Sequence, residues 1–260
     1  MVRATTTGLC IQRGPFSETS QIVQFLTDDL GRIACIAKGA FREKNNYKGN
    51  FDLLGLSRLT LSMPRGEGMA LLSQGELLEE HARLHKDLKA FAGAALVAEL
   101  LRFGVPEGQN IHGLFDLACG ALQSLDRGRV PEDHVLFAFQ STFLKMLGYE
   151  PELDHCTECR LQPAAGNRLA VFPGRGGVVC RRCRPAFEEG LNLSWKASRA
   201  VVLGQGADPL QPGFPELAGN LVCEIWAFFE LFFQYFLERR INSYAFMKTF
   251  QRGSRNPSGG

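Results

Sequence analysis

Four cysteines stand in two close pairs, Cys156-x-x-Cys159 and Cys180-x-x-Cys183, separated by the 20 residues 160–179. A two-residue gap lets one tight turn aim two sulfurs at a single point, and a second such turn closes a cage of four thiolates. The spacing predicts one zinc ion per chain, held by Cys156, Cys159, Cys180 and Cys183. Four protein ligands leave no position open for substrate, so the metal would shape the fold and not catalyse. Two disulfides or an iron–sulfur cluster would also use four cysteines, and His155 stands beside the first pair as another donor. The other four cysteines, Cys10, Cys35, Cys119 and Cys223, sit singly in apolar surroundings and read as small buried hydrophobes.

The second chemistry is clustered positive charge. Lys38, Arg42, Lys44, Lys48, Arg58 and Arg65 face only Glu43 and Asp52 between residues 38 and 65, and are interleaved with Phe41, Tyr47 and Phe51. Cations neutralise phosphates without reading sequence, and aromatic faces stack on exposed bases. A solvated loop whose aromatics belong to the core is the plainer reading. The cysteine segment adds Arg160, Arg168, Arg175, Arg181, Arg182 and Arg184, and the C-terminal stretch adds Arg239, Arg240, Lys248, Arg252 and Arg255 with no acid after Glu238. The expected DNA contacts are Lys38, Arg42, Lys44, Lys48, Arg58, Arg65, Arg181 and Arg182.

No P-loop, His-Glu-x-x-His or Gly-x-Ser-x-Gly occurs, and Gly174-Arg175-Gly176-Gly177 reads as turn chemistry inside the cysteine segment. The chain reads as a binding protein and not an enzyme. Its net charge of +2 over 260 residues identifies no partner. The N-terminus lacks a basic head and apolar run, and no apolar stretch reaches the roughly 18–20 residues of a spanning helix, so a cytoplasmic protein without a membrane partner is expected.

These residues must be positioned by the surrounding elements. Residues 1–80 carry five short strand patterns: Thr5–Ile11, Ile22–Leu26, Ile33–Ala37, Leu53–Ser62 and Met69–Gln74. Closure into a small barrel would remove their edges, and the five-stranded OB-fold is the leading candidate. Residues 81–150 switch to helical spacing in three segments; residues 151–190 form the cysteine module; residues 191–250 return to helical spacing; residues 251–260 read as a disordered tail. The fold class is thus α+β and multidomain: an OB-fold barrel, then a mainly α-helical domain with an inserted four-cysteine zinc module.

Several stretches, in this order, resemble the RecO family of bacterial recombination mediators. They are Phe25-Leu26-Thr27-Asp28-Asp29-Leu30-Gly31-Arg32 followed by Ala37-Lys38-Gly39-Ala40, then Glu99-Leu100, Leu147-Gly148-Tyr149-Glu150-Pro151, Gly176-Gly177 ahead of Cys180-Arg181-Arg182-Cys183, and Arg240-Ile241-Asn242-Ser243. The segment Arg42-Glu43-Lys44-Asn45-Asn46 departs from a more basic run. The resemblance implies an OB-fold, a central helical domain and, in many members, a four-cysteine zinc site. It further implies binding of single- and double-stranded DNA, annealing of complementary strands, and work with RecR and the single-stranded DNA-binding protein to load RecA. A nucleoid-associated location goes with that role. An interaction scaffold that binds no DNA, and a nuclease with an unrecognised acidic site, are the competing readings.

Overall fold

Alternating burial marks the N-terminal strands. Along Leu56–Met63, Ser57, Leu59 and Leu61 are buried while Arg58 is exposed, the period of two that a strand with one covered face requires. The computed structural model describes residues 2–41, 51–66, 68–184, 190–209, 214–217 and 219–253. They cluster into two compact units, Met1–Arg127 and Gly128–Gly260.

In the first unit five strands, β1 (Val2–Pro15), β2 (Gln21–Thr27), β3 (Arg32–Ala37), β4 (Leu56–Met63) and β5 (Ala70–Glu79), close into a barrel in the order β1-β2-β3-β5-β4. Every seam is antiparallel except β3 with β5, where Cys35–Ala37 run parallel to Ala70–Leu72. The 14-residue β1 makes closure possible, because its first half pairs with β4 and its second with β2, across a bulge between Cys10 and Gln12. This is the five-stranded OB-fold architecture.

The barrel core holds Val23, Phe25, Cys35, Leu59, Leu61 and Leu72. Phe51 belongs to it: only 3% exposed, it meets Phe25 edge-to-face at 5.8 Å. Its ring lies over Gly75, where a Cβ would come within 2.2 Å of it. Of the aromatics flanking the basic segment, Phe51 is therefore a core residue and not a stacking surface. Burial pushes the thiols of Cys10 and Cys35 up to about 12, so both stay protonated.

Two helices complete the unit, α1 (Leu88–Gly104) and α2 (Leu114–Arg127). Asp87 caps α1 by accepting from the N–H groups of Lys89 (3.0 Å) and Ala90 (3.1 Å). The segment between the helices is tied to the barrel. Arg32 donates to the Val105 carbonyl at 2.6 Å, the Gly108 N–H donates to the Arg32 carbonyl at 2.7 Å, and Asn110 donates to the carbonyls of Asp28 and Asp29.

The second unit contains α3 (Glu132–Met146), a sheet of β6 (Leu169–Phe172), β7 (Gly177–Val179) and β8 (Leu191–Leu193) in the order β7-β6-β8, then α4 (Trp195–Leu203), α5 (Asn220–Phe236) and α6 (Asn242–Gly253). The helices share an aromatic core in which Phe143 stacks on Phe233 at 5.9 Å and Phe228 meets Phe232 at 4.3 Å. Buried polar groups are matched within it: Trp226 donates to Asp133 at 2.8 Å and Tyr244 to Gln140 at 2.5 Å.

Two details depart from the sequence reading. The cysteine segment carries its own sheet, which β8 extends past residue 190. Within the helical spacing read over residues 191–250, the chain breaks between α5 and α6. Glu238 takes a left-handed φ of 50°, its N–H donates to the Tyr235 carbonyl, and the Arg239 N–H donates to the Gln234 carbonyl. That bond pair is a Schellman ending, built here without glycine.

Candidate metal centre and nucleic-acid interface

The first knuckle begins at Cys156, whose N–H donates to the Leu161 carbonyl at 2.9 Å while its own carbonyl accepts from the Arg160 N–H at 2.9 Å. Arg160 has φ of 61°, which turns the chain so that Cys159 and Cys156 address one point. In the second knuckle the Cys183 N–H donates to the Cys180 carbonyl at 3.0 Å. The sheet brings the knuckles together: Thr157 donates its N–H to the Val178 carbonyl of β7, directly before Cys180.

Gly177 makes that approach possible. It has φ of 157°, and a Cβ there would lie 2.1 Å from the Glu152 carbonyl oxygen. Glu152 in turn braces the entry to the first knuckle. Its carboxylate accepts from the N–H groups of Asp154 (3.0 Å) and His155 (3.1 Å) and from Arg160 (2.9 Å). Burial acts to raise its pKa, but these hydrogen bonds outweigh burial and hold the carboxyl below the usual range.

All four cysteine sulfurs lie within 4.8 Å of one another, and those of Cys159 and Cys180 are 3.7 Å apart. A tetrahedron with metal–sulfur bonds of about 2.3 Å has edges of about 3.8 Å, so the four sulfurs fit a single ion. Burial pushes the Cys156 thiol up, yet N–H groups of Cys180, Cys159 and Glu158 together bring it down to about 6. Cys183 moves the other way, up to about 12, through hydrogen bonds with the sulfurs of Cys159 and Cys180. Four crowded sulfurs cannot all ionise without a cation among them, which is the need a divalent metal meets. His155 faces Glu152, 3.8 Å from its carboxylate, and is not part of the sulfur cluster.

Charge around the centre divides into two sets. Arg160 pairs with Glu152, Arg168 with Glu224 and Arg175 with Glu158. Arg181, Arg182 and Arg184 are exposed, and no ion pair holds them among the described residues. Arg181 and Arg182 lie between two ligating cysteines, so a metal would fix their backbone. Arg181, Arg184 and Arg168 border a cleft of about 620 Å³ whose apolar wall includes Leu161, Leu169 and Val179.

In the first unit, Lys38 follows the end of β3 and is exposed, and Arg65 is exposed in the turn entering β5. Because β3 and β5 run parallel, the end of one and the start of the other point to opposite ends of that strand pair. Arg58 projects from β4 and pairs with Glu76 at 3.2 Å. The strand pairing therefore does not bring Lys38 and Arg65 together. Arg42, Lys44, Lys48 and Tyr47 lie outside the described residues. The sequence reading passed over Phe16, an exposed aromatic in the β1–β2 turn; a phenylalanine inside the turn Pro15-Phe16-Ser17 was the available signal.

Residues 1–81 match the family model for the Recombination protein O N terminal region, and residues 85–244 match the one for its C terminal region. The chain belongs to the RecO family. The DNA repair protein RecO of Rhodopirellula baltica is 36% identical over 190 residues, spanning 72% of this chain and 69% of that protein. That of Symbiobacterium thermophilum is 29% identical over 245 residues, 93% and 95% of the two chains, and that of Bacillus subtilis is 32% identical over 181 residues, 68% and 67%. RecO is a family of DNA repair and recombination proteins, and its two regions adjoin here where β5 gives way to the helices. Among the described residues no helix is long and apolar enough to cross a membrane.

Proposed function

We propose that this chain is a non-catalytic recombination mediator that binds single- and double-stranded DNA and anneals complementary strands. It would act with RecR to load RecA onto single strands coated by the single-stranded DNA-binding protein, in the cytoplasm at the nucleoid. The observation that carries this reading is the pair of RecO family matches over residues 1–81 and 85–244, lying on an OB-fold barrel and a four-sulfur cluster.

Annealing requires that two polyanions be brought together while their base edges stay accessible. Cations that meet phosphates without reading bases serve that purpose. Lys38, Arg58 and Arg65 on the barrel, with Arg42, Lys44 and Lys48, supply one set, and Arg181 and Arg182 in the second knuckle another. The Arg58–Glu76 pair is exposed on both sides, so it contributes little to stability and Arg58 can exchange its partner for a phosphate. Zinc is the metal the four thiolates suit best, with Cys156, Cys159, Cys180 and Cys183 as its ligands. When bound it supplies cross-linking of the two knuckles, and the arginines of the second knuckle do the binding.

Strand annealing tests the reading. Complementary strands coated with single-stranded DNA-binding protein should pair faster with this protein than without it, and a Lys38→Ala/Arg42→Ala variant should be slower. Annealing no faster than the uncatalysed rate, together with no DNA binding at low salt, would leave the interaction-scaffold reading in its place.

A further inference from the structure

We propose that Phe16 and Phe41 form a stacking site for the unpaired bases of single-stranded DNA at one end of the barrel; this rests on the DNA-binding reading above. Phe16 is 53% and Phe41 57% exposed, so both apolar rings stand in water. The two belong to one loop cluster. The Ser20 carbonyl accepts from the N–H groups of Phe16 (2.9 Å) and Ser17 (3.1 Å), and the Thr19 carbonyl accepts from the Phe41 N–H at 3.2 Å. Buried Ser20 also takes the Gly39 N–H on its hydroxyl at 3.4 Å. The β1–β2 turn and the end of β3 are thus fastened to each other, and the rings are carried on a pre-ordered support.

The charges nearby decide which chemistry the site offers. Lys38 and Glu18 are both exposed on these segments, so the attraction of the cation for a phosphate is opposed by the carboxylate. Among the described residues of these two segments, the ring faces are what remain. Every base has a π-face, so stacking accepts any sequence. A duplex has its faces already stacked and offers none, so the site selects single strands. Stacking uses the face of a base and leaves its pairing edge outward, which is what a strand awaiting its complement requires.

The test is fluorescence anisotropy of the full chain with three labelled probes of equal length: oligothymidylate, an abasic strand with the same phosphates, and a duplex. The protein should bind oligothymidylate about tenfold tighter than the abasic strand. Phe16→Ala/Phe41→Ala should lose that preference and leave duplex affinity unchanged. Phe41→Trp should keep the affinity, and its indole emission should be quenched by oligothymidylate but not by the abasic strand. Equal binding of the base-bearing and abasic strands by the unaltered protein overturns the stacking site alone. So does a double variant that binds oligothymidylate normally, as it would if the rings dock a protein, or one that loses all three probes together. Failure of the unaltered protein to bind any probe at low salt overturns the DNA-binding reading beneath it.

Discussion

The backbone N–H of Cys180 points at the sulfur of Cys156, 3.3 Å away. One knuckle thus donates to a ligand of the other, so the peptide backbone already favours negative charge at the place where a cation would sit. Removing any one sulfur removes a corner of the cage, and removing that of Cys156 also leaves the Cys180 N–H without its acceptor.

The protein purified without chelator should carry one zinc per chain by elemental analysis. Cys180→Ser should lower metal content to a small fraction of that value and loosen the second unit in limited proteolysis. The barrel, which shares no ligand with the site, should keep its protease resistance. Full metal content in Cys180→Ser would rule out the four-sulfur assignment.

Gly177→Ala should destabilise the second unit by about 2 kcal/mol, because the new Cβ meets the Glu152 carbonyl and the left-handed φ is strained. Gly176→Ala, where nothing lies within 4 Å of the added carbon but φ is also positive at 70°, should cost less, about 1 kcal/mol. Denaturant midpoints of the two variants check the order, and equal losses would remove the steric part of the account.

Asp87 should give the first unit an acid-sensitive contribution. The Ala90 N–H, its largest influence, and the Arg83 guanidinium together hold its carboxyl below the usual range. A group whose pKa is lowered by folding contributes fully above its unfolded pKa, and that contribution is lost as pH falls through the folded value. Asp87→Ala should therefore cost about 1 kcal/mol at pH 7, and the gap between variant and parent should narrow as the solution is acidified below pH 4 or so. A gap that widens on acidification would contradict the sign.

Tyr244 is fully buried and donates to Gln140. Tyr244→Phe keeps the ring but leaves the Gln140 carbonyl oxygen without that donor, at a cost of about 1–3 kcal/mol. Thermal unfolding should register it as a fall of several degrees. A variant as stable as the parent would mean that this bond contributes nothing net.

Much of this architecture could be read from the chain. Period-two patterning marked the five strands, and the Cys-x-x-Cys spacing marked the sulfur cluster, because both are local signals. The barrel order was not readable, since the β3–β5 and β1–β4 seams join residues far apart in sequence. Strands β6, β7 and β8 have only three or four residues each, too few for a period to show. The break between α5 and α6 was hidden because Glu238, and not glycine, takes the left-handed turn. For Lys38 and Arg65, closeness along the sequence did not become closeness in space, as the parallel run of β3 and β5 parts them. Phe51 and Phe41 look alike as letters; a void over Gly75 buries one and leaves the other in water.

The seam between β3 and β5 engages only Cys35–Ala37 with Ala70–Leu72, the shortest run of pairing around the barrel. When the barrel breathes it should part there first, because fewer backbone bonds must break at once than at any other joint. Amide protons along that stave should exchange with solvent sooner than those of β1 and β2. The same opening bares two strand edges, each able to take on an added strand from another chain, so crowding or heat should drive this unit toward edge-to-edge association along that line.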